Sequence, residues 1–218
     1  MGEEESACCN FFHSFCPLYP KRITKKIFRP PLPPYYELKI IDAKLFDFAF
    51  LLSPEADNAG LRLIQKQRAR FIKTSLNNNI AVLYINCNQE KKYTILYSHG
   101  NDVDLGKIHK VCAEISVVCK CDVVSYDYCG YGQSEGKPTE ANLYADIKAA
   151  WDYTLAFHEP SANKIILYGQ SLGTAAVIDL AAKVQCAGVI LQSPFKSSLS
   201  VFYPSHKKLC FCLDRLKK

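Results

Sequence analysis

The chain has 218 residues, of which 49% are hydrophobic and 22% are charged. This composition suits one compact domain with a buried core, and it excludes a collagen-like, repeat or wholly disordered chain. The net charge of +6 comes largely from basic clusters near both ends, and such clusters bind either nucleic acids or anionic membranes. No nucleic-acid-binding motif accompanies them, so we expect a membrane surface, and no nucleic acid, as partner.

Eleven cysteines are many for a chain of this length. They form no C-x-x-C pair and no cysteine–histidine ladder, so no zinc site, other metal or cofactor is expected. Three glutamates follow Met1-Gly2, which is the wrong charge for a secretory signal peptide. We therefore expect a reducing, cytosolic environment in which core cysteines act as small hydrophobic residues. No apolar run approaches about 18 residues, so no transmembrane helix is expected.

The first segment, residues 1–36, is predicted to be a membrane-anchoring tail. It opens with a match to the N-myristoylation pattern at Gly2, although the adjacent acids weaken the match. Cys8, Cys9 and Cys16 lie among phenylalanines and precede a basic cluster. Several acyl chains beside basic residues anchor a protein firmly, so this combination favours S-acylation of the three cysteines. The alternative is a disordered tail with unmodified cysteines.

The tail ends in Pro30-Pro31-Leu32-Pro33-Pro34, which predicts an extended, semi-rigid spacer. Residues 37–218 are predicted to form the folded domain, in which 45–67 fits either strand or loop. Strands are predicted at 70–74, 80–85, 93–98, 122–126, 164–168 and 188–191, and helices at 106–119, 139–158 and 172–184. This alternation predicts an α/β fold, a mostly parallel sheet with helices on both faces and an antiparallel start.

Two serines lie in a G-x-S-x-G pattern, which is typical of a nucleophile elbow. Gly169-Gln170-Ser171-Leu172-Gly173 follows a predicted strand directly and opens a predicted helix, as an elbow requires. The second match, around Ser134, lies in a glycine-rich loop and precedes Pro138, which opposes an immediate helix. We therefore predict Ser171 as the nucleophile and Ser134 as a loop serine. The alternative for Ser171 is a helix-capping residue.

A second motif, His99-Gly100-Asn101-Asp102, follows the predicted strand 93–98. In a hydrolase with an elbow, one oxyanion-hole N–H comes from the residue after the nucleophile and one from this earlier loop. The predicted donors are therefore the backbone N–H groups of Leu172 and Asn101. His99 precedes the serine in the chain, so we interpret it as a structural residue that fixes the loop.

These segments resemble the α/β-hydrolase domain-containing protein 17 family, the membrane-bound acyl-protein thioesterases. The resemblance rests on the cysteine-rich start, the proline run, Ser98-His99-Gly100-Asn101, the loop 127–134, Gly169-Gln170-Ser171-Leu172-Gly173-Thr174 and Leu191-Gln192-Ser193-Pro194. It implies an α/β-hydrolase fold that removes palmitoyl groups from S-palmitoylated membrane proteins, with Ser171 as nucleophile. Together with the tail, it implies a peripheral lipid anchor on the cytosolic face of the plasma membrane or endosomes.

The catalytic triad that this resemblance implies is incomplete. In this fold the serine is followed first by an acid and then by a histidine. After Ser171 the only acids are Asp179, inside the next helix, and Asp214, which follows the only histidine, His206. We therefore expect the last strands of the domain, with the acid and the base, to be missing. Two alternatives stay open, namely a catalytically inactive membrane-tethered adaptor and an esterase acting on lipids or other carboxyl esters.

Overall fold

The computed structural model describes residues 27–42, 47–54, 67–87 and 90–194. The strands in these ranges are β1 (Tyr36–Asp42), β2 (Asp47–Leu52), β3 (Gln67–Lys73), β4 (Asn79–Ile85), β5 (Thr94–Ser98), β6 (Asp122–Tyr126), β7 (Ile165–Gln170) and β8 (Gly188–Gln192). The helices are α1 (Leu105–Cys119), α2 (Glu140–Phe157) and α3 (Leu172–Ala181), and a single 3-10 turn covers Ala162–Lys164.

The described strands form one mixed sheet in the order β1-β2-β3-β4-β6-β5-β7-β8. Neighbours from β1 to β4 are antiparallel, as are β4 and β6, whereas β6, β5, β7 and β8 run parallel. The predicted α/β fold with an antiparallel start is therefore confirmed. The antiparallel part is longer than predicted, because β1 and β2 precede the predicted strands, and β2 lies in the segment 45–67, which was left open as strand or loop.

Helices cover both faces of this sheet because side chains alternate between the faces along each strand. In β4, Ile80 and Val82 belong to one hydrophobic cluster, whereas Ala81 and Leu83 belong to the other. The first cluster contains the buried residues of α2 and α3, and the second contains those of α1. The residues of β5 and β6 are all buried, as expected for central strands covered on both sides.

The chain joins the domain before β1, inside the segment that was predicted to be a tail. Ile27 and Phe28 are buried in the cluster that contains α2 and α3. Tyr36 is buried in the opposite cluster, and its hydroxyl donates a hydrogen bond of 2.5 Å to Oδ2 of Asp127. The last ten residues of the predicted tail therefore contribute to both faces of the core.

Strand β8 is the outermost described strand on the parallel side of the sheet. Its side chains Val189, Ile190 and Leu191 are 43%, 42% and 37% exposed. No other described strand pairs with the outer edge of β8, and an apolar edge without a partner is prone to pair with another strand.

Asp146 of α2 is fully buried and holds the start of the loop that follows β6. Its Oδ2 accepts the backbone N–H of Cys129 at 2.8 Å, and its Oδ1 accepts the Cys129 thiol at 3.0 Å. Burial raises the pKa of the Asp146 carboxyl from 3.8 to about 6. Burial also raises the pKa of the Cys129 thiol, so this cysteine is an inert structural residue.

The raised pKa of Asp146 predicts a pH dependence of stability. Because the folded state binds this proton more tightly than the unfolded state, the contribution of Asp146 is fully present below about pH 4. It is lost as the pH rises through about 6, and the loss is about 3 kcal/mol for a shift of about two units. The free energy of unfolding of the wild type, relative to Asp146→Asn, should therefore fall by that amount between pH 4 and pH 7.

Urea unfolding at four pH values measures this difference. Asp152 lies on the same helix, is exposed and pairs with Lys148, so Asp152→Asn is the matched control and should follow the wild type. Parallel pH profiles for the wild type and Asp146→Asn would contradict the prediction.

Candidate active site

Ser171 lies at the turn between β7 and α3. The strand ends at Gln170, the helix begins at Leu172, and the serine backbone has φ 47° and ψ −111°. A positive φ is unfavourable for a residue with a Cβ, and strain of this kind is concentrated at functional sites. The predicted position of Ser171, on a strained strand-to-helix turn, is confirmed.

Two glycines make this turn sterically possible. A Cβ on Gly169 would lie 2.7 Å from the carbonyl oxygen of Gly173, and a Cβ on Gly173 would lie 2.6 Å from the carbonyl carbon of Ser98. Real Cβ atoms do not approach backbone so closely. The glycines of the G-x-S-x-G pattern are therefore required because α3 packs directly against β7 and the end of β5.

Hydrogen bonds fix the serine backbone from two sides. The N–H of Ser171 donates to the carbonyl of Gln192 at 2.9 Å. The carbonyl of Ser171 accepts the N–H of Thr174 at 3.0 Å and the Thr174 hydroxyl at 2.6 Å. The role of Gln192 was not predicted. It was detectable in principle, since the carboxyl ends of neighbouring parallel strands meet at one edge of a sheet.

The loop after β5 lies beside the elbow, as predicted. A Cβ on Gly100 would lie 3.7 Å from the Cβ of Ser171, which is ordinary contact, so Gly100 is not sterically obligatory. His99 is fully buried, its Nδ1 lies 2.7 Å from the carbonyl of Gly100, and its carbonyl accepts the Tyr128 hydroxyl at 2.6 Å. Its Nε2 lies 3.2 Å from Oδ1 of Asp127 without hydrogen-bond geometry. These contacts support the interpretation of His99 as a residue that fixes the loop.

The side chain of Asn101 makes three hydrogen bonds, all to residues outside the elbow. Its Oδ1 accepts the hydroxyl of Tyr131 at 2.7 Å and the N–H of Arg29 at 2.9 Å. Its Nδ2 donates to the carbonyl of Ile27. The predicted oxyanion-hole donors are the backbone N–H groups of Asn101 and Leu172, and this role of both residues stays a prediction.

The second G-x-S-x-G match has a structural role. The hydroxyl of Ser134 donates to the carbonyl of Asp127 at 2.9 Å and accepts the N–H of Ala81 at 2.9 Å. It thereby ties the loop after β6 to β4. This hydroxyl is occupied, in agreement with the interpretation of Ser134 as a loop serine.

Several predicted residues fall outside the described ranges. His206, Asp214 and the lipidation candidates Gly2, Cys8, Cys9 and Cys16 are among them. Asp179, the one acid after Ser171 that is described, pairs with Lys183 one helical turn away at 2.6 Å. Within the described ranges, no group of His, Cys, Asp and Glu side chains forms a metal site. None of the described helices is long and apolar enough to cross a membrane.

The sheet, the helices on both faces and the strained serine at the carboxyl end of a parallel strand define an α/β-hydrolase. Solved structures agree on the fold. An esterase of Pyrococcus furiosus superimposes with a TM-score of 0.55 at 16% identity, over 78% of this chain and 57% of its own. An α/β hydrolase of Vibrio vulnificus superimposes with a TM-score of 0.56 at 20% identity, over 67% of this chain and 51% of its own chain. The family model Hydrolase_4, described as serine aminopeptidase S33, matches residues 89–216.

Sequence comparison identifies the family within this class. The chain is 40% identical over 209 residues to alpha/beta hydrolase domain-containing protein 17B of Homo sapiens, covering 95% of this chain and 70% of that protein. It is 44% identical over 144 residues to the 17C protein of Mus musculus, covering 66% of this chain and 45% of that protein. The chain belongs to the α/β-hydrolase domain-containing protein 17 family.

The strained backbone of Ser171 predicts a stability difference between two variants that both lack the hydroxyl. Ser171→Ala keeps the Cβ and hence the strain, whereas Ser171→Gly relieves it. Strain of this kind costs about 1–3 kcal/mol, and glycine gives back about 0.5–1 kcal/mol through the unfolded state. We expect the glycine variant to be more stable than the alanine variant by about 1 kcal/mol. Urea unfolding of both proteins measures the difference, and an alanine variant of equal or greater stability would contradict it.

Proposed function

We propose that this protein is a serine hydrolase of the acyl-protein thioesterase type, which removes palmitoyl groups from S-acylated membrane proteins. Ser171 would attack the thioester carbonyl, and the backbone N–H groups of Leu172 and Asn101 would stabilise the oxyanion that forms. The substrate cysteine then leaves as a thiol that carries the proton of the Ser171 hydroxyl, and water hydrolyses the acyl-enzyme to palmitate and the free serine.

The observation that carries this proposal is the backbone conformation of Ser171. It places a serine between a strand and a helix at φ 47°, with a glycine two residues before it and another two residues after it. A helix-capping serine needs no such strain, and Ser171 makes no side-chain cap hydrogen bond to α3. Membership of a hydrolase family supports the same reading.

A second function, a membrane-tethered adaptor that binds acylated proteins without cleaving them, is favoured by the described histidines. His99 is held between Gly100 and Asp127, His109 contacts Gln67, and His158 contacts Tyr153. Among the described residues, then, no histidine is placed as the base for Ser171. A serine without its base keeps only the catalysis of the oxyanion hole and of binding.

Activity measurements on the 218-residue chain separate these functions. We expect slow labelling of Ser171 by a fluorophosphonate probe, abolished in Ser171→Ala, and slow hydrolysis of a palmitoyl-cysteine peptide. The rate should lie roughly 10³–10⁴-fold above the uncatalysed reaction, the level left to a serine hydrolase that lacks a triad member. Fast labelling that depends on Ser171 would point to a base outside the described residues, and His206→Ala would then test the first candidate.

Three results would change the proposal. Palmitoyl peptide that binds without any turnover would identify the adaptor. Faster hydrolysis of a matched palmitoyl-serine peptide than of the palmitoyl-cysteine peptide would identify an oxygen-ester esterase. Fluorophosphonate labelling that persists unchanged in both Ser171→Ala and Ser171→Gly would show that Ser171 is not the nucleophile.

The tail supports a further part of the proposal, a peripheral lipid anchor on the cytosolic face of the plasma membrane or endosomes. Each buried CH₂ of an acyl chain contributes about 0.8 kcal/mol, so two long chains outweigh a handful of basic contacts. Replacing Cys8, Cys9 and Cys16 together by serine should therefore move most of the protein from the membrane to the soluble fraction. Gly2→Ala should have a smaller effect.

Fractionation of cells and incorporation of an alkyne palmitate analogue measure this prediction. A triple-serine variant of Cys112, Cys121 and Cys129, which are buried, is unsuitable as a control because it would perturb the core. The exposed Cys119 offers the better control, and Cys119→Ser should leave both readouts unchanged. A wild type that takes up no palmitate analogue would contradict the acylation of the tail.

A further inference from the structure

The segment in front of β1 binds directly to the loop of the predicted oxyanion hole. The N–H of Arg29 lies 2.9 Å from Oδ1 of Asn101 and 3.0 Å from the hydroxyl of Tyr131, and it donates to both. The Asn101 side chain donates in return to the carbonyl of Ile27. The Arg29 guanidinium also pairs with Asp102 at 3.2 Å, with both side chains more than half exposed.

Apolar burial holds the same segment in place. Ile27 is 8% exposed and Phe28 is 5% exposed. Both belong to the cluster that contains Leu172, which follows the nucleophile, and Tyr131, which contacts Asn101. Burying two large side chains stabilises the contact far more than an exposed ion pair does.

The segment is attached to the other end of the loop as well. The N–H of Tyr35 donates to Oδ2 of Asp104 at 2.7 Å, and Oδ1 of the same side chain accepts the N–H of Lys107 in the first turn of α1. Residues 27–36 therefore bridge the loop 99–104 from Asn101 to Asp104. The remaining side of this loop, at Gly100, faces Ser171.

We propose that residues 27–36 form an intrachain strap that holds the loop 99–104 against the elbow, with the Asn101 side chain as a positioning residue. The Asn101 side chain has three hydrogen-bond partners, of which two are backbone groups of the strap and the third is the Tyr131 hydroxyl, so the strap works through main-chain geometry. The loop then has its conformation only while the strap is docked. The effect on Ser171 chemistry rests on the proposed function, whereas the docking itself does not.

The chain offers a matched pair of variants at Arg29. Arg29→Pro removes the N–H that binds Asn101 and Tyr131, and a residue that already precedes Pro30 tolerates the extended conformation that proline favours. Arg29→Ala removes only the exposed ion pair with Asp102 and is the control. Tyr131→Phe removes the hydroxyl from the same junction and keeps the ring, so it tests the strap if Arg29→Pro does not fold.

Hydrogen exchange of the full chain gives the first measurement. In Arg29→Pro and Tyr131→Phe, the amides of 100–104 should exchange about fivefold to tenfold faster, the effect of losing a hydrogen bond. The exchange rates of the α2 amides should be unchanged in both variants. In Arg29→Ala, every amide should exchange at the wild-type rate. Unchanged exchange at 100–104 in a folded Arg29→Pro or Tyr131→Phe protein would overturn the strap.

Fluorophosphonate labelling gives the second measurement. A purely structural role of Asn101 would leave the maximal labelling rate unchanged. The maximal rate of Ser171 labelling should fall about fivefold to tenfold in Arg29→Pro and Tyr131→Phe, with an unchanged half-saturating probe concentration, since the loop donor acts in the transition state. Faster exchange with an unchanged maximal rate would overturn the positioning role of Asn101. Absent labelling in the wild type would count against the proposed function alone, and hydrogen exchange would still decide on the strap.

Discussion

The positive φ of Ser171 can be held only if several other parts of the chain are arranged around it. Gly169 and Gly173 must lack side chains, because α3 and the end of β5 occupy the space where their Cβ atoms would lie. The carbonyl of Gln192 must stand at the end of β8 to accept the serine N–H. The parallel half of the sheet thus works as a rigid frame that keeps one unfavourable backbone conformation populated, as active sites require.

The sequence was most informative where side-chain periodicity and backbone demands agree. The strands around β5, β6 and β7 are continuous apolar runs, and each is followed by a helix or a glycine-rich loop, so their order and the position of Ser171 could be predicted. The strands β1 and β2 could not be predicted in this way. In β1 only Tyr36 is clearly buried, and exposed Ile40 and Ile41 break the alternation that identifies a half-buried strand. The position of β1 depends instead on its pairing with β2, which pairs in turn with β3.

The candidate site was predicted only in part for a similar reason. G-x-S-x-G and His-Gly-Asn are local patterns, and the structure brings them together at Gly100 and Ser171. The contacts between Arg29, Asn101 and Tyr131 join residues 72 and 102 positions apart, and two of them use the backbone of Arg29. Every residue except proline carries a backbone N–H, so such a donor cannot be recognised from the residue type. The proline run that follows was therefore interpreted as a spacer, whereas the residues just before it are core.

The docking of Ile27 also sets a physical reach. Eleven peptide steps separate Cys16 from Ile27, and a chain spans at most about 3.3–3.6 Å per residue. An acyl chain on Cys16 would thus keep Ile27, which shares a hydrophobic cluster with Leu172, within about 40 Å of the bilayer. Under the proposed function, membrane-bound thioesters would lie in the same layer as the domain, and tethering would raise their effective concentration toward the millimolar range, whereas soluble acyl esters would gain nothing. Selectivity for membrane-borne substrates would in that case depend on the length of the chain between Cys16 and Ile27 as much as on the shape of the active site.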